Sequence, residues 1–208
     1  MPFFPVKTPK FIQRLFPNYL WKKASLSKTI YLTFDDGPTP EITQWTLDTL
    51  KHYNAKATFF CIGDNVKKHP SIFDNLIKEG HTIGNHTFNH LKGWNTNTED
   101  YINNTEKAQE AINPKHKHLF RPPFGKIKRR QAKLLINKGY KIVMWSVLSY
   151  DWEVSVSQEK CLKNVLKNTS SGSIVVFHDS VKASKNMQYA LPKMLDHFSK
   201  KGYQFKSL

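Results

Sequence analysis

Long apolar stretches are missing from this chain of 208 residues. No window approaches the roughly 18 consecutive apolar residues that a membrane-spanning helix requires, so we expect no membrane span. Residues 1–28 also lack the basic start, apolar middle and small-residue cleavage site of a secretory signal. A cytoplasmic location is therefore the default expectation, although a truncated start could hide a signal.

Cysteine is scarce, with only Cys61 and Cys161 in the whole sequence. Their positions do not match the close spacing of a cysteine metal site. In a chain without a visible signal, the default interpretation is a pair of reduced, buried thiols.

Acidic residues are half as numerous as basic ones, 16 against 32, which leaves a formal charge of +16. Such a charge can attract a polyanion, or it can simply reflect a lysine-rich surface. The lysines are spread along the chain and only 126–130 form a short cluster, which favours the surface interpretation. Zinc-finger spacing, a helix-turn-helix signature and aromatic RNA-binding motifs are all absent, so we expect no nucleic-acid partner. We also expect a monomer.

Internal linkers and low-complexity segments are absent too. Strand-like and helix-like segments alternate about seven times, which predicts a parallel sheet covered by helices, either doubly wound or a barrel. We expect one domain over residues 29–208. Residues 1–28, whose apolar residues are interrupted by four prolines, are predicted to form an extended arm against the core.

Local patterns predict where the individual elements lie. The predicted strands are 30–34, 57–62, 81–84, 119–121, 140–148, 173–177 and 203–205. The predicted helices are 40–53, 70–79, 99–112, 128–138, 158–168 and 185–200. Polar residues before helices predict N-caps at Thr39, Asn97 or Thr98, and Ser157, and Gly80 is predicted to end a helix.

The first predicted strand ends in two adjacent carboxylates, Asp35 and Asp36, and Gly37-Pro38 then turns the chain. Neighbouring residues of an extended segment point in different directions. One carboxylate can therefore bind a cation while the other handles a proton. A plain polar turn after a strand is the alternative, and this motif alone does not decide between them.

Four further polar clusters also follow predicted strands. The carboxyl ends of parallel strands lie on one side of an α/β fold, where active sites are built. We therefore expect all five clusters to converge on one rim. The four clusters are His86 with His90, Arg121, Asp151, and His178 with Asp179.

The two histidines of the second cluster are four residues apart, and they face the same way if that turn is helical. With Asp36 they would provide two imidazoles and one carboxylate, a set that suits Zn²⁺ or another divalent transition metal such as Co²⁺ or Ni²⁺. The alternative is a pair of ordinary loop histidines. The neighbouring acidic pair favours metal ligation.

Arg121 is followed by Pro-Pro-Phe-Gly, a turn with few backbone donors. An arginine at a strand end can orient a carboxylate bidentately. The two prolines leave the Phe124 amide free to face a substrate oxygen. An ordinary loop with a surface arginine is the alternative.

His178 follows an apolar run and would stand at the mouth of the fold. A histidine there is a natural proton donor near neutral pH. Asp151 is a candidate partner that orients it. Trp152 is either an aromatic wall of the site or a core residue.

Taken in order, these motifs resemble those of the NodB-type polysaccharide deacetylases, carbohydrate esterase family 4, from about Thr29 to the C-terminus. The resemblance implies a distorted, TIM-like (β/α) barrel of about seven parallel strands and metal-dependent removal of acetyl groups from a sugar polymer. The motifs are Thr33-Phe-Asp-Asp-Gly37, His86-Thr-x-x-His90, Arg121-Pro-Pro-Phe-Gly125, Asp151-Trp152 and Val176-x-His178.

The resemblance also implies a role for each residue. Asp35 would be the general base and His178 the general acid. Arg121 would orient Asp35, and Asp151 would tune His178. The remaining implied roles are metal ligation by Asp36, His86 and His90, an acetate pocket lined by Trp152 and Val176, and an oxyanion contact from the Phe124 amide.

One position departs from the family pattern. The fourth motif often begins with an aspartate three residues before the Asp-Trp pair, and Leu148 stands there in this chain. A polar link from that position is therefore in doubt, whereas metal binding is not affected.

We expect removal of N-acetyl groups from an N-acetylglucosamine-containing polysaccharide, either peptidoglycan or a chitin-type glycan. Two alternatives stay open: an O-acetyl esterase acting on a xylan-type glycan, and an inactive carbohydrate-binding relative. A cell-wall glycan as substrate would require export, so the location is not decided by the sequence.

Overall fold

The structure, a computed structural model, describes residues 5–25, 27–113 and 116–208. Within these ranges the strands are β1 (Thr29–Asp35), β2 (Ala57–Cys61), β3 (Thr82–Asn85), β4 (Leu119–Phe120), β5 (Lys141–Ile142), β6 (Val147–Leu148), β7 (Ile174–His178) and β8 (Gln204–Phe205). The α-helices are α1 (Lys10–Leu15), α2 (Ile42–His52), α3 (Gly63–Lys68), α4 (Pro70–Lys78), α5 (Thr98–Ile112), α6 (Arg129–Asn137), α7 (Gln158–Asn168) and α8 (Ser184–Lys200).

Seven of the strands form one continuous parallel sheet in the order β5-β4-β3-β2-β1-β7-β6. The eighth, β8, pairs in parallel with the start of β1, off this path. The sheet curls into a half-barrel with helices around it, so the predicted barrel-like fold is confirmed. The carboxyl ends of all seven strands consequently open on the same side.

The central strand β1 shows why both faces of this sheet are apolar. All seven of its residues are buried, as is expected for a parallel strand covered on both sides. Ile30, Leu32 and Phe34 belong to the core between sheet and helices. Tyr31 belongs to the second core, inside the curl. Thr33 and Asp35 follow it at the period of two and so share its face.

The predicted strand over residues 140–148 is wrong, because the structure contains two short strands there. β5 pairs with β4, whereas β6 lies at the other edge of the sheet and pairs with β7. Residues 143–146 cross between the two edges. An apolar run cannot distinguish one strand from two that belong to different edges.

Residues 5–25 lie along that crossing. The Leu20 amide donates to the Ile142 carbonyl, and the Leu148 amide donates to the Val6 carbonyl, both at 2.8 Å. The short helix α1 within this segment was not predicted, and it contains no buried residue. The division of the chain at residue 28 stays a prediction.

Several helix ends follow their sequence signals. Asn97 and Ser157 cap α5 and α7 through their side chains, and Gly80 follows the end of α4 with a φ of +75°. The predicted cap at Thr39 is wrong: α2 begins at Ile42, and the Thr39 amide donates to the Thr43 hydroxyl instead. Helix α3 was not predicted. No helix in the described ranges is long and apolar enough to cross a bilayer.

Candidate active site

Asp35 and His178 lie side by side at the carboxyl ends of two adjacent parallel strands. They are direct register partners in the β1–β7 ladder. Val176 pairs with Thr33 two positions earlier, so these four residues share the inner face. The parallel register therefore brings a carboxylate and an imidazole to the same point of the rim.

Arg121 is fully buried, and its guanidinium group donates a hydrogen bond to the Asp35 carboxylate. Its Nη1 atom donates to Asp35 Oδ1 at 2.6 Å and to the Thr33 hydroxyl at 2.7 Å. The other donors bind the carbonyl oxygens of Val143 and Met144 at 3.2 and 3.0 Å. The contact with the carboxylate therefore uses a single nitrogen and is not bidentate, and Asp35 Oδ2 makes no hydrogen bond to any described residue.

Asp36 points to a different set of partners from Asp35. Its Oδ1 atom lies 3.3 Å from His90 Nε2 and 3.7 Å from His86 Nε2. One ligand atom from each residue can be chosen so that all three lie within 4.8 Å of one another. Ligand atoms around a tetrahedral zinc ion are separated by roughly 3.4 Å, given metal–ligand distances of roughly 2.1 Å. The three side chains thus fit a divalent cation.

An unsatisfied polar atom supports the same fit. Asp36 Oδ1 is buried and has no hydrogen-bond partner among the described residues. A buried carboxylate oxygen without a partner is costly unless a cation or a donor occupies the space beside it. The donor set of two imidazoles and one carboxylate is typical of zinc and related transition metals.

Both imidazoles are prepared as ligands by their surroundings. His86 donates from Nδ1 to the Arg121 carbonyl at 2.7 Å, which leaves the Nε2 lone pair directed at Asp36. Burial lowers the pKa of His86 to about 3, and the neighbouring His90 acts in the same direction. Burial also lowers the pKa of His90, against the opposing charge of Asp36. Neutral imidazole is the form that binds a metal.

The spacing of the two histidines was expected to place both rings on one side if their turn was helical. The loop that carries them is not helical. Thr87 and His90 have φ values of +63° and +57°, which bend the loop and bring the rings together. Asn104 on α5 stabilises this bend, since its Oδ1 atom accepts from the amides of Phe88 and Asn89 at 2.8 and 3.3 Å.

His178 is held by Asp151 through both carboxylate oxygens. The ring Nδ1 lies 2.9 Å from Oδ1, and the His178 amide donates to Oδ2 at 2.7 Å. Burial lowers the pKa of His178, but the charge and hydrogen bond of Asp151, with Asp36 and Asp35 adding to them, outweigh it and raise the pKa to about 9. The raised pKa favours the protonated ring, which is the form that a proton donor requires.

Aromatic residues stand on either side of this centre. Phe124 is 53% exposed and its ring lies 4.6 Å from that of His90. Trp152 lies 4.7 Å from the His178 ring and stacks on Tyr150 at 4.9 Å. The Phe124 amide donates to no group of the described residues, and the residue has a left-handed φ of +58°. The amide is thus available to a substrate oxygen.

An open groove of about 360 Å³ runs past the rim. Ten residues line it: Asp36, Pro38, Thr39, Pro40, Ile62, Asn65, His69, His90, Ser180 and Val181.

Leu148, the position that departs from the family pattern, is buried in the inner core and pairs with Val176, so no polar group approaches the site from that position.

Asp179 and Asn65 also support the site, and neither received a role from the sequence. Asp179 is fully buried and accepts from the Gly37 amide, while Asn65 donates to the Asp36 carbonyl. Burial raises the pKa of Asp179, and the hydrogen bond from the Thr43 hydroxyl opposes this shift. The position of Asp179 next to His178 was a usable signal, whereas nothing in the sequence distinguished Asn65.

Comparisons with known proteins agree with these features. The sequence profile described as polysaccharide deacetylase matches residues 22–143. The peptidoglycan-N-acetylglucosamine deacetylase of Bacillus cereus is 39% identical over 189 residues, which cover 89% of this chain and 88% of the relative. Chitin deacetylase 2 of Saccharomyces cerevisiae is 33% identical over 172 residues, which cover 78% of this chain and 54% of the relative.

A solved structure is similar over almost the whole fold. The crystal structure of a peptidoglycan N-acetylglucosamine deacetylase superimposes with a TM-score of 0.88 at 35% identity, and the match covers 97% of this chain and 95% of that one. Together with the sequence match, this similarity extends well beyond the isolated motifs. The chain belongs to the polysaccharide deacetylase family.

Proposed function

We propose that this chain is a metal-dependent hydrolase that removes N-acetyl groups from an N-acetylglucosamine-containing polysaccharide, with peptidoglycan as the first candidate. One observation carries the proposal. Asp35 and His178 are register partners on adjacent strands, and they open onto the same rim as Asp36, His86 and His90. The similarity to the Bacillus cereus deacetylase favours peptidoglycan, and the similarity to the yeast protein keeps a chitin-type glycan as the second substrate to test.

Asp35 is the residue we assign as general base. Arg121 binds one of its oxygens, and the other makes no hydrogen bond within the described chain. The carboxylate is only 4% exposed, so its orientation is held by that contact. In this position Asp35 Oδ2 can accept a proton from an attacking water molecule.

Asp36, His86 and His90 would hold the cation, for which we propose Zn²⁺, with Co²⁺ or Ni²⁺ as alternatives. A divalent cation supplies Lewis acidity and lowers the pKa of water from about 15.7 towards about 7. The chain contributes two imidazoles whose lowered pKa values favour the neutral form, and one carboxylate whose Oδ1 atom has no hydrogen-bond partner among the described residues.

His178 is the residue we assign as general acid. Asp151 orients its ring, and the raised pKa of His178 favours the protonated form that can deliver a proton to the departing amine. The Phe124 amide donates to no group of the described residues, so it can donate to the oxyanion that develops on the acetyl carbonyl oxygen. Trp152 and the buried Val176 supply apolar surface suited to the acetyl methyl group.

Acetate release is the direct test, measured on peptidoglycan, chitin oligomers and acetylated xylan, with bound metal determined by elemental analysis of the same samples. We expect release from an N-acetylated glycan by metal-loaded protein, and none from Asp35→Asn. Release from acetylated xylan alone would replace the proposal by an O-acetyl esterase. Glycan binding without release by the metal-loaded protein would replace it by a carbohydrate-binding role.

A further inference from the structure

The peptide group between Asp36 and Gly37 is held by side chains at both of its polar atoms. Asn65 Nδ2 donates to the Asp36 carbonyl oxygen at 2.7 Å, and the Gly37 amide donates to Asp179 Oδ1 at 3.1 Å. Asp36 has a φ of +83°, which is unfavourable for a residue that carries a side chain. Two side chains from distant parts of the chain thus stabilise the backbone conformation that directs this carboxylate.

Asp179 connects this peptide to the neighbouring elements. Its second oxygen, Oδ2, accepts from the Thr43 hydroxyl at 2.6 Å, and that hydroxyl accepts from the Thr39 amide at 2.7 Å. Its backbone amide donates to the Asp35 carbonyl at 3.1 Å. Asp179 is fully buried and both carboxylate oxygens are engaged, so it does not touch substrate and can act only through its neighbours.

The contact between Gly37 and the Asp179 carboxylate leaves no space for a side chain at Gly37. A Cβ atom added at Gly37 would lie 2.0 Å from Asp179 Oδ2. Neither group can be enlarged without displacing the other. The close approach explains why the turn after Asp36 carries a glycine.

We infer that Asp179 is a positioning residue for the metal site. It binds the Gly37 amide and so keeps the Asp36 carboxylate beside His86 and His90, while Asn65 holds the other end of the same peptide. The inference depends on the proposed metal-dependent function. Removing a side chain that orients a metal ligand typically lowers metal affinity or activity by roughly 10–100-fold.

The test measures metal binding directly, without relying on turnover. Metal-free wild type, Asp179→Ala and Asp179→Asn are titrated with Zn²⁺ in competition with a chromogenic chelator, and the visible absorption of each Co²⁺ complex is recorded. We expect Asp179→Ala to bind Zn²⁺ roughly 10–100-fold more weakly and to give an altered Co²⁺ spectrum. Asp179→Asn keeps one oxygen for the Gly37 amide, so we expect it to lose less.

Two threonines on α2 provide a matched pair. Thr43→Val removes the hydroxyl that binds Asp179, whereas Thr46→Val removes an equally buried hydroxyl that bonds to the Ile42 carbonyl within its own helix. We expect weaker Zn²⁺ binding only for Thr43→Val. These milder variants, with Asn65→Ala, carry the test if Asp179→Ala fails to fold.

A loss of general stability must be separated from a loss of positioning. Leu47→Ala on α2 creates a cavity in the core without changing the turn at Asp36 and Gly37. It should lower the melting temperature while keeping wild-type Zn²⁺ affinity. Equal loss of affinity in Leu47→Ala would overturn the inference, as would unchanged affinity in folded Asp179→Ala. A wild-type protein that binds no metal would instead refute the proposed function itself.

Discussion

His178 Nδ1 lies 2.9 Å from Asp151 Oδ1, and the His178 backbone amide donates to Asp151 Oδ2 at 2.7 Å. A single carboxylate therefore fixes both the ring and the backbone of the same residue. Asp151 is buried, at 1% exposure, so solvent does not compete for either contact. Because Nδ1 donates to Asp151, Nε2 is the nitrogen left to exchange protons in the proposed reaction.

The pH dependence of acetate release should reflect this pair. The pKa of His178 is raised to about 9 in the metal-free chain, which favours the protonated donor, and activity should fall as the ring loses its proton at higher pH. A cation bound beside Asp36 would offset part of the Asp36 charge, which helps to raise the pKa of His178. We therefore expect the alkaline limb of the pH–activity profile, where activity falls, between the ordinary histidine pKa of 6.5 and about 9. In Asp151→Asn the limb should move to lower pH, which a kcat profile measures.

The His178 titration also has a consequence for stability. Because the folded-state pKa is the higher one, protonation stabilises the fold fully below pH 6.5, and this contribution is lost as pH rises to about 9. The difference in unfolding free energy between wild type and His178→Asn should shrink over that range. A difference independent of pH would show that the ring does not titrate as assigned.

Removing the acid should separate catalysis from metal binding. His178→Ala is expected to lose roughly 10²–10⁴-fold in kcat, the usual contribution of a positioned acid. Its bound metal should equal that of wild type, because the ring is not one of the three ligands. Elemental analysis of the purified variant checks this, and metal loss together with activity would contradict the assignment.

The Arg121–Asp35 pair should be strongly coupled in stability. Both side chains are buried, and Arg121 Nη1 lies 2.6 Å from Asp35 Oδ1. The Arg121→Met substitution therefore leaves the buried Asp35 carboxylate without its guanidinium partner. We expect a loss of about 3–5 kcal/mol in unfolding free energy, measured by urea denaturation. Asp35→Asn combined with Arg121→Met should lose less than the sum of the two single losses. Strict additivity would mean that the pair is not coupled.

Metal binding should raise the thermal stability of the chain. A ligand present at a hundredfold excess over its Kd stabilises the folded state by about 2.7 kcal/mol. Zn²⁺ should therefore raise the melting temperature of wild type and of His178→Ala, but not of Asp36→Ala. A chelator should reverse the shift and abolish acetate release. Full activity after chelation would exclude the proposed chemistry.

The amide of Phe124 should matter more to kcat than its ring. Phe124→Gly keeps the amide and suits the left-handed φ of +58°. Its kcat should fall far less than the roughly 10²–10³-fold associated with losing an oxyanion donor. KM should rise, because the exposed ring beside His90 borders the site. A large loss in kcat with unchanged KM would assign the role to the ring.

The arrangement of the site could be anticipated because it depends on local rules. Apolar runs followed by polar residues indicate strand ends, and parallel strands place those ends together. The side chains of Asp35 and Asp36 point in different directions, as expected for adjacent residues of an extended segment. Asp36, His86 and His90 lie close together, as their residue types suggested. The loop of His86 and His90 is bent by positive φ values, not by a helical turn, and spacing does not reveal such backbone conformations.

Long-range partners were not accessible in the same way. Residues 140–148 look like one strand, yet their two halves pair with opposite edges of the sheet, and pairing depends on the whole topology. Asn65 resembles many polar helix residues, although it binds the backbone of a metal-ligand candidate 29 positions away. Such contacts depend on how elements pack, which local propensity does not encode.

The parallel α/β architecture, the residue types at the rim and the family resemblance can all be read from the amino-acid sequence, because periodicity and short motifs are properties of neighbouring residues. The folded chain alone reveals that Arg121 uses one nitrogen for Asp35 and that Asp179 binds the turn after Asp36. Both contacts are buried and join residues far apart in the chain. Their geometry arises only when the sheet curls and its strand ends close around a shared interior.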